Sequence, residues 1–276
     1  MNVSFLRRNR LLAGLFTAVL ATGIVAGTAA PASAGNSHHK KIDYVALGDS
    51  YAAGQGGGRY LDECLHTKAA YPRAVDKLPG VKLIADATCS GATSLDVLKH
   101  QIPRVKHKLQ KAELVTLTVG ANDIASQEIR ETCGAPGAAA PATFDEQRCT
   151  TLVLKAIANV KERVLKALVK IDDIRDRVKI LVTGYPRLFA APADAFQARA
   201  NAAVDGLNAA LHQAVKKANM WGVRAYFVDV TRAFHGRLIG DRFPWLHAEG
   251  NDTWHPNKWG HLAYSVVVIW HVKRIF

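Results

Sequence analysis

The stretch that decides the predicted fold is residues 44–54, which read YVALGDSYAAG. An apolar run ends at Leu47 and breaks at Gly48, and small residues follow. This is the pattern of a buried strand that turns into a helix. Ser50 lies at the break, beside the unpaired N–H groups of a helix start, and open α/β sheets bind ligands at that edge. We therefore predict that Ser50 is a nucleophile and that other groups converge on it.

The remainder of the chain predicts a parallel sheet covered by helices on both faces. Apolar and β-branched runs that alternate with helical spacing favour this arrangement. The predicted strands are residues 42–47, 81–85, 113–119, 178–183 and 223–228. The predicted helices are residues 71–78, 94–111 and 151–176, one through Val204 and Ala218, and residues 259–271. Between Cys133 and Cys149 a segment rich in proline and glycine predicts a tethered surface loop.

Composition restricts the class of protein. The chain has 276 residues, of which 49% are hydrophobic, so it can build a sizeable core. Its formal net charge is +13, which is typical of proteins that meet nucleic acid, anionic lipid or an anionic cell wall. Zinc-finger spacing, an aromatic and basic RNA signature and long Lys/Arg runs are all missing from the sequence, so no nucleic-acid partner is expected. An ordinary basic surface and an anionic lipid interface both stay open.

The first 34 residues resemble a secretory signal peptide. Arg7, Arg8 and Arg10 precede an apolar segment, and Ala32-Ser33-Ala34 has the small-x-small pattern of a cleavage site. The alternative is an uncleaved anchor, and the route of export, general or twin-arginine, stays open. We expect cleavage near Ala34, secretion, and one mature domain over residues 35–276.

Four cysteines lie in the predicted mature chain. An even number in an exported protein indicates disulfides. Three pairings are possible, and the nearest-neighbour one joins Cys64 to Cys89 and Cys133 to Cys149. Each such bridge closes a modest loop worth about 3 kcal/mol on the chain-entropy model. Zinc is not expected, because no C-x₂₋₄-C pair occurs.

Three of the five predicted strands end in small or polar residues. Ser50, Gly91 and Asn122 follow the first, second and third strands, and the ends of parallel strands meet at one edge. A tetrahedral oxyanion needs hydrogen-bond donors aimed at it. Gly91 has no Cβ, so its N–H can approach a ligand closely, and Asn122 offers two uncharged donors.

A serine nucleophile needs a base, and His255 is the strongest candidate among eleven histidines. Asp252 precedes it by three residues, and on a helical turn positions i and i+3 share one side. The carboxylate of Asp252 would then hold the ring and stabilise the imidazolium. His235 and His247 are the nearest competitors for the role of base.

These residues together resemble the SGNH hydrolases, also called GDSL esterases and lipases. The matching blocks are Gly48-Asp49-Ser50, Gly91, Gly120-Ala121-Asn122-Asp123 and Asp252-Thr253-Trp254-His255-Pro256. The context of the first block is similar to that of the secreted bacterial lipases of the family. The resemblance implies a three-layer α/β/α sandwich of flavodoxin-like type with a five-stranded parallel sheet. It also implies that no metal and no cofactor take part.

The resemblance assigns a role to each block. It implies Ser50 as nucleophile, His255 as base, and an oxyanion hole built from the N–H groups of Ser50 and Gly91 and the amide of Asn122. Asp252 would be the third catalytic residue, although some secreted members hold the histidine with a backbone carbonyl instead.

The expected activity is that of a secreted esterase or lipase that hydrolyses lipid or small acyl esters and acts as a monomer. Tyr51, Trp245 and Trp254 lie near the site in sequence and could line an acyl groove. A phospholipase and a polysaccharide deacetylase are alternatives with the same site. A non-catalytic module that binds cell-wall polymer or anionic glycan is the alternative from another class.

Overall fold

A parallel five-stranded sheet forms the centre of the computed structural model, which describes residues 41–134 and 144–276. The strands are β1 (Ile42–Gly48), β2 (Val81–Asp86), β3 (Leu114–Thr118), β4 (Lys179–Thr183) and β5 (Arg224–Val228). Their order is β2-β1-β3-β4-β5, and every neighbouring pair is parallel. The predicted fold class is confirmed. The predicted signal peptide, residues 1–34, and the cleavage site after Ala34 lie outside the described residues.

Helices cover both faces of this sheet. They are α1 (Ser50–Ala53), α2 (Tyr71–Val75), α3 (Ser94–Asp96), α4 (Ile102–Arg104), α5 (Lys106–Leu109), α6 (Ala121–Ile124), α7 (Gln127–Cys133), α8 (Glu146–Ile174), α9 (Ala195–Met220) and α10 (Lys258–Ile275). A π turn (Val97–Gln101) and a 3₁₀ turn (Thr231–Phe234) complete the set. Helices α8 and α9 pack together, and so do α2 and α10. Because crossovers between parallel strands are right-handed as a rule, the strand order places α8 and α9 on one face of the sheet and α2 on the other. Among the described residues, no helix is long and apolar enough to cross a membrane.

Two predicted elements differ from the structure. The helix predicted over residues 94–111 is interrupted, because Pro103 has no N–H to donate and Val105 leaves the helical region at φ −105°, ψ 15°. The predicted loop between Cys133 and Cys149 ends earlier than expected, since α8 begins at Glu146 and already contains Cys149. Residues 135–143, which include Pro136 and Pro141, lie outside the described residues.

Both disulfides join nearest neighbours in sequence. Cys64 pairs with Cys89, and Cys133 pairs with Cys149. The first bridge connects the loop after α1 to the loop after β2. The second connects the end of α7 to the first turn of α8. Of the three pairings that four cysteines allow, the structure therefore contains the nearest-neighbour one.

The chain leaves β1 through a glycine that packs against the backbone of β3. Gly48 has φ +138°, and a Cβ atom at this position would lie 2.2 Å from the carbonyl oxygen of Thr118. Backbone atoms cannot move aside as a flexible side chain can, so only glycine fits. This close approach lets Asp49 N–H donate to the same carbonyl oxygen at 2.9 Å. The position of Ser50 at the sheet edge depends on it.

We predict that Gly48→Ala lowers the free energy of unfolding by at least about 2 kcal/mol more than Gly222→Ala does. Both glycines have positive φ, but a Cβ at Gly222 would have no atom within 4 Å. The comparison therefore separates the clash with Thr118 from the backbone strain that the two variants share. Urea denaturation of the two variants measures the difference, and equal losses would show that the contact with β3 contributes nothing.

Candidate active site

Ser50 is the first residue of α1, and Asp49 is its N-cap. The Oδ1 atom of Asp49 accepts a hydrogen bond from Tyr51 N–H at 3.1 Å. Asp49 and Ser50 are both buried. The short turn therefore places the Ser50 hydroxyl at the carboxyl end of β1. The N–H groups of the residues before and after Ser50, Asp49 and Tyr51, are both hydrogen-bonded.

A glutamine from the π turn fixes the preceding glycine. The side-chain amide of Gln101 donates to Gly48 O at 2.9 Å, and its Oε1 accepts from Gly48 N–H at 2.8 Å. Gln101 is buried, so both bonds are sheltered from water. Sequence reasoning missed this residue, because it lies 51 positions after Ser50 inside an apparently ordinary helix.

His255 lies directly against the proposed nucleophile. Its Nε2 atom is 2.8 Å from Ser50 Oγ, and its Nδ1 atom is 3.1 Å from the carbonyl oxygen of Thr253. A carbonyl can only accept, so Nδ1 carries the proton and Nε2 is left free to take one from the serine. Burial lowers the pKa of the His255 imidazole below its usual range, which favours the neutral ring.

The two competing histidines lie elsewhere. His247 Nε2 is 3.0 Å from Gly56 O, and His235 is exposed on the loop after the 3₁₀ turn. Among the described residues, no histidine other than His255 has a ring nitrogen in hydrogen-bond contact with Ser50. The geometry therefore selects one histidine out of the three candidates.

Asp252 does not make the contact that the i, i+3 spacing predicts. Its Oδ1 atom accepts from the Tyr60 hydroxyl and, at 3.3 Å, from Gln55 Nε2, and no hydrogen bond joins it to the His255 ring. The reason is local backbone geometry, because Trp254 has φ +69° and the turn is not helical. The ring is held by a main-chain carbonyl, and the carboxylate faces the loop after α1.

The second and third predicted blocks follow β2 and β3, the two strands that flank β1, and Asn122 shares the lining of one cavity with Ser50. Gly91 has φ +82° and open space where a Cβ would lie, and the amides of Ser50 and Gly91 donate no hydrogen bond to the described residues. Asn122 donates one of its two amide hydrogens to Ala92 O at 3.0 Å and keeps the other. Asp123 anchors the block, because its carboxylate accepts from both the N–H and the hydroxyl of Ser94.

The bridge from Cys64 to Cys89 belongs to the same assembly. Ser90 N–H donates to Cys64 O at 3.0 Å, and the Ser90 hydroxyl donates to Gln55 Oε1 at 2.6 Å. Gln55 follows α1 directly and also contacts Asp252. Loops from three parts of the chain are thus joined around the serine by one disulfide and one glutamine.

An apolar cavity of about 320 Å³ includes Ser50 and His255 in its lining. Its walls come from α6, α7, α8, α9 and the turn before His255, and include Ile124, Ile129, Val153, Leu188, Phe196, Ala200, Val204 and Leu207. Of the three aromatic residues expected to line an acyl groove, Tyr51 and Trp254 do so. Trp245 does not, since it packs edge-on against Phe234 instead.

Asp49 is a buried carboxyl group beside the proposed nucleophile, Ser50. Burial raises its pKa to about 7, against the opposing effect of the hydroxyl of Tyr185, which donates to Oδ2. Tyr185 in turn packs edge-on against Tyr51, with ring centroids 5.0 Å apart. The Asp49 carboxyl is therefore held by Tyr185 on one oxygen and by the first turn of α1 on the other.

Comparison with known proteins places this geometry in context. The sequence model of the GDSL-like lipase/acylhydrolase family matches residues 46–263. A lipase from Streptomyces rimosus is 29% identical over 261 residues, which cover 88% of this chain and 91% of that protein. The resemblance predicted from the four sequence blocks is thereby confirmed.

Solved structures of lipolytic enzymes are also similar to this chain. An extracellular lipase from Streptomyces rimosus superposes with a TM-score of 0.67 at 28% identity, covering 82% of this chain and 98% of that one. A phospholipase A1 from Streptomyces albidoflavus NA297 also has a TM-score of 0.67, at 25% identity, covering 84% of this chain and 99% of that one.

We predict that Asp49→Asn changes how stability depends on pH. The folded-state pKa of about 7 exceeds the ordinary value of 3.8, so between these values the folded protein keeps a proton that the unfolded chain loses. Wild-type stability therefore falls relative to Asp49→Asn as the pH rises from about 4 to 7, and the difference levels off above about pH 8. Histidine titrations are common to both proteins and cancel. Urea unfolding at pH 4.5, 6 and 8 measures the difference, and a constant one would contradict the prediction.

For the predicted third catalytic residue, we predict that Asp252→Asn lowers kcat/KM by less than about tenfold, because the Thr253 carbonyl still holds the imidazole ring of His255. An asparagine oxygen can also accept from Tyr60 in place of the carboxylate. Steady-state hydrolysis of a soluble ester measures the effect, with His255→Ala as the variant that must lose activity. A loss of a hundredfold or more in Asp252→Asn would show that the carboxylate stabilises the imidazolium.

Proposed function

This chain belongs to the GDSL-like lipase/acylhydrolase family and is a carboxylic ester hydrolase, and we propose that it hydrolyses lipid acyl esters through an acyl-enzyme on Ser50. One observation carries the proposal, namely the 2.8 Å contact between Ser50 Oγ and His255 Nε2 beside an apolar cavity of about 320 Å³. Membership of an enzyme family also argues against the alternative of a non-catalytic cell-wall module.

In the first half-reaction the ester carbonyl carbon bonds to Ser50 Oγ while His255 Nε2 takes the hydroxyl proton. The carbonyl oxygen becomes an oxyanion, and the N–H groups of Ser50 and Gly91 and the free amide hydrogen of Asn122 are the donors for it. His255 then gives its proton to the leaving alcohol as the bond from the acyl carbon to that oxygen breaks.

In the second half-reaction water replaces the alcohol. His255 takes a proton from water as the water oxygen attacks the acyl carbon, and returns it to Ser50 Oγ as the fatty acid leaves. The imidazolium that forms twice in the cycle is stabilised by the Thr253 carbonyl, which accepts from Nδ1. The lowered pKa of His255 keeps the ring ready as a base near neutral pH.

The cavity favours an acyl chain as the group that enters it. A sugar-borne acetyl group, as in the deacetylase alternative, would leave most of this apolar wall uncovered.

Phospholipids are a second candidate substrate, favoured by the similarity to the Streptomyces albidoflavus phospholipase A1 and by the net charge of +13. Arg130 and Arg199 on the cavity wall supply positive charge to an otherwise apolar lining. Hydrolysis of triacylglycerol, phosphatidylglycerol and acetylated xylan at equal ester concentration separates the three cases.

Secretion is part of the proposal. Two disulfides are stable in an oxidising environment, and a similar Streptomyces rimosus lipase is extracellular. Removal of residues 1–34 and release from the cell are the expected fate of the N-terminal segment. Mass spectrometry of the exported protein reports the cleavage position directly.

We predict that Ser50→Ala abolishes both ester hydrolysis and labelling by a fluorophosphonate probe, because no acyl-enzyme or phosphonyl-enzyme can form. Asn122→Ala keeps the label but lowers kcat by about 10²–10³, since one oxyanion donor is lost. Ser126→Ala is the matched serine control, because Ser126 caps α7 and lies outside the dyad. Full esterase activity in Ser50→Ala would overturn the proposed function.

A further inference from the structure

Helix α10 is apolar on two opposite faces, of which the sheet covers only one. Its inner face buries Tyr264, Val268 and Val272 in the core. Its outer face carries a row that we call the outer stripe, formed by Trp259, Leu262, Val266 and Trp270, which are 54%, 54%, 58% and 53% exposed. Steps of three and four residues place these side chains in one line along the helix, about 16 Å long.

The outer stripe differs from the water-facing side of the other long helices. On α8 the exposed positions include Lys155, Glu162, Lys166 and Lys170, and Leu154 is a single exposed leucine among them rather than part of a row. Large apolar side chains in a contiguous exposed row are unusual on a soluble protein and indicate an interaction surface. The stripe therefore needs a partner that accepts apolar groups.

Positive charge accompanies the aromatic rings of this surface. Lys258 Nζ lies 5.1 Å from the ring centre of Trp259, and Arg274 Cζ lies 5.2 Å from that of Trp270. Helix α10 contains no aspartate or glutamate. A second copy of this chain packed stripe to stripe would bring these cations together without any acid to neutralise them. An anionic partner satisfies both the charge and the apolar row.

The surface continues onto the loop before α10. Phe243 is 59% exposed, Arg242 Cζ lies 5.3 Å from its ring centre, and Asn257 at the helix start donates to Pro244 O at 3.0 Å. Aromatic rings combined with basic side chains suit the boundary between lipid headgroups and acyl chains, because one part of each pair is apolar and the other is charged.

The same loops hold the proposed base. His247 N–H donates to His255 O at 2.9 Å, and Asn257 N–H donates to Trp245 O at 2.9 Å. The outer stripe begins four residues after His255. The outer stripe is therefore joined through this turn to the segment that carries the proposed base.

We propose that the outer stripe, together with Phe243, docks this enzyme on anionic lipid bilayers, with α10 lying in the plane of the headgroups. The inference rests on the proposed function, since it assumes that the ester substrate is presented by a lipid aggregate. The rings of Trp259, Trp270 and Phe243 enter the interface, and Lys258 and Arg274 meet the anionic headgroups.

The test measures vesicle binding in a Ser50→Ala background, so that the lipid is not consumed. Vesicles of phosphatidylcholine with 30% phosphatidylglycerol are compared with vesicles of phosphatidylcholine alone by sedimentation, at low and high salt. Adding Trp259→Ala and Trp270→Ala weakens partitioning into the anionic vesicles by at least about tenfold. Adding Lys258→Glu and Arg274→Glu instead removes the preference for anionic vesicles.

A matched control is Trp221→Ala at the end of α9. Trp221 is 58% exposed and has Lys217 Nζ 5.4 Å from its ring centre, but it lies outside the outer stripe. Its replacement leaves partitioning unchanged if the stripe is the docking surface. Equal losses in Trp221→Ala and in the Trp259 and Trp270 variant would overturn the assignment.

Two readouts separate docking from catalysis. With Ser50 intact, the Trp259→Ala and Trp270→Ala variant hydrolyses a soluble short-chain ester at the wild-type rate but hydrolyses vesicle lipid more slowly. If the wild-type protein did not hydrolyse the soluble ester, the result would count against the proposed function and not against docking. Unchanged vesicle binding in this variant, or a dimer in sedimentation velocity that the variant abolishes, would overturn the docking proposal.

Discussion

The proposed active site depends on a contact between two backbone segments, one at the end of β1 and one in β3. Where β1 ends, Gly48 lies so close to Thr118 of β3 that no side chain fits between them. Gln101 satisfies both polar groups of Gly48 from the other side. Main-chain atoms of β3 and one buried side-chain amide fix the turn before Ser50. A fixed turn limits the positions that the Ser50 hydroxyl can take, and catalysis by a serine requires such a fixed position relative to the base.

Burial sets the electrostatics of the site around Ser50. Burial lowers the pKa of His255 and raises that of Asp49 to about 7, and in both cases it disfavours the charged form. A neutral imidazole can accept a proton from the Ser50 hydroxyl, so the lowered pKa of His255 suits the proposed chemistry. His255 lies in the wall of the apolar cavity, so the surroundings proposed to receive an acyl chain also disfavour a charged ring before the reaction starts.

Sheet topology was enough to predict that Ser50, Gly91 and Asn122 follow strands that end at one edge, and β2, β1 and β3 are parallel neighbours in the structure. The motif was enough to choose His255, whose ring contacts Ser50. The role of Asp252 could not be judged, since the i, i+3 argument assumes a helical turn and Trp254 adopts a left-handed conformation.

The cavity and the outer stripe were beyond sequence reasoning for another physical reason. The walls of the cavity come from α6 and α7, from α8 and α9 further along the chain, and from the turn before His255, so no local sequence pattern predicts the cavity. The apolar spacing of α10 was visible, but whether the sheet covers one face or both depends on tertiary packing. Pro103 is a different case, because its disruption of the predicted helix over residues 94–111 follows from its missing N–H alone.

Because the His255 ring is held by the main-chain carbonyl of Thr253, the effect of mutations at this position differs from that at a side-chain acceptor. A carboxylate that orients a catalytic histidine can be deleted by one nucleotide change, whereas every amino acid carries the same main-chain oxygen. Replacing residue 253 therefore leaves the acceptor in place, and only a change in the path of the turn, such as one at Trp254 with its φ of +69°, can remove it. The acceptor that holds the proposed base is thus robust to mutation, and the side chains around it can vary while the proposed dyad is preserved.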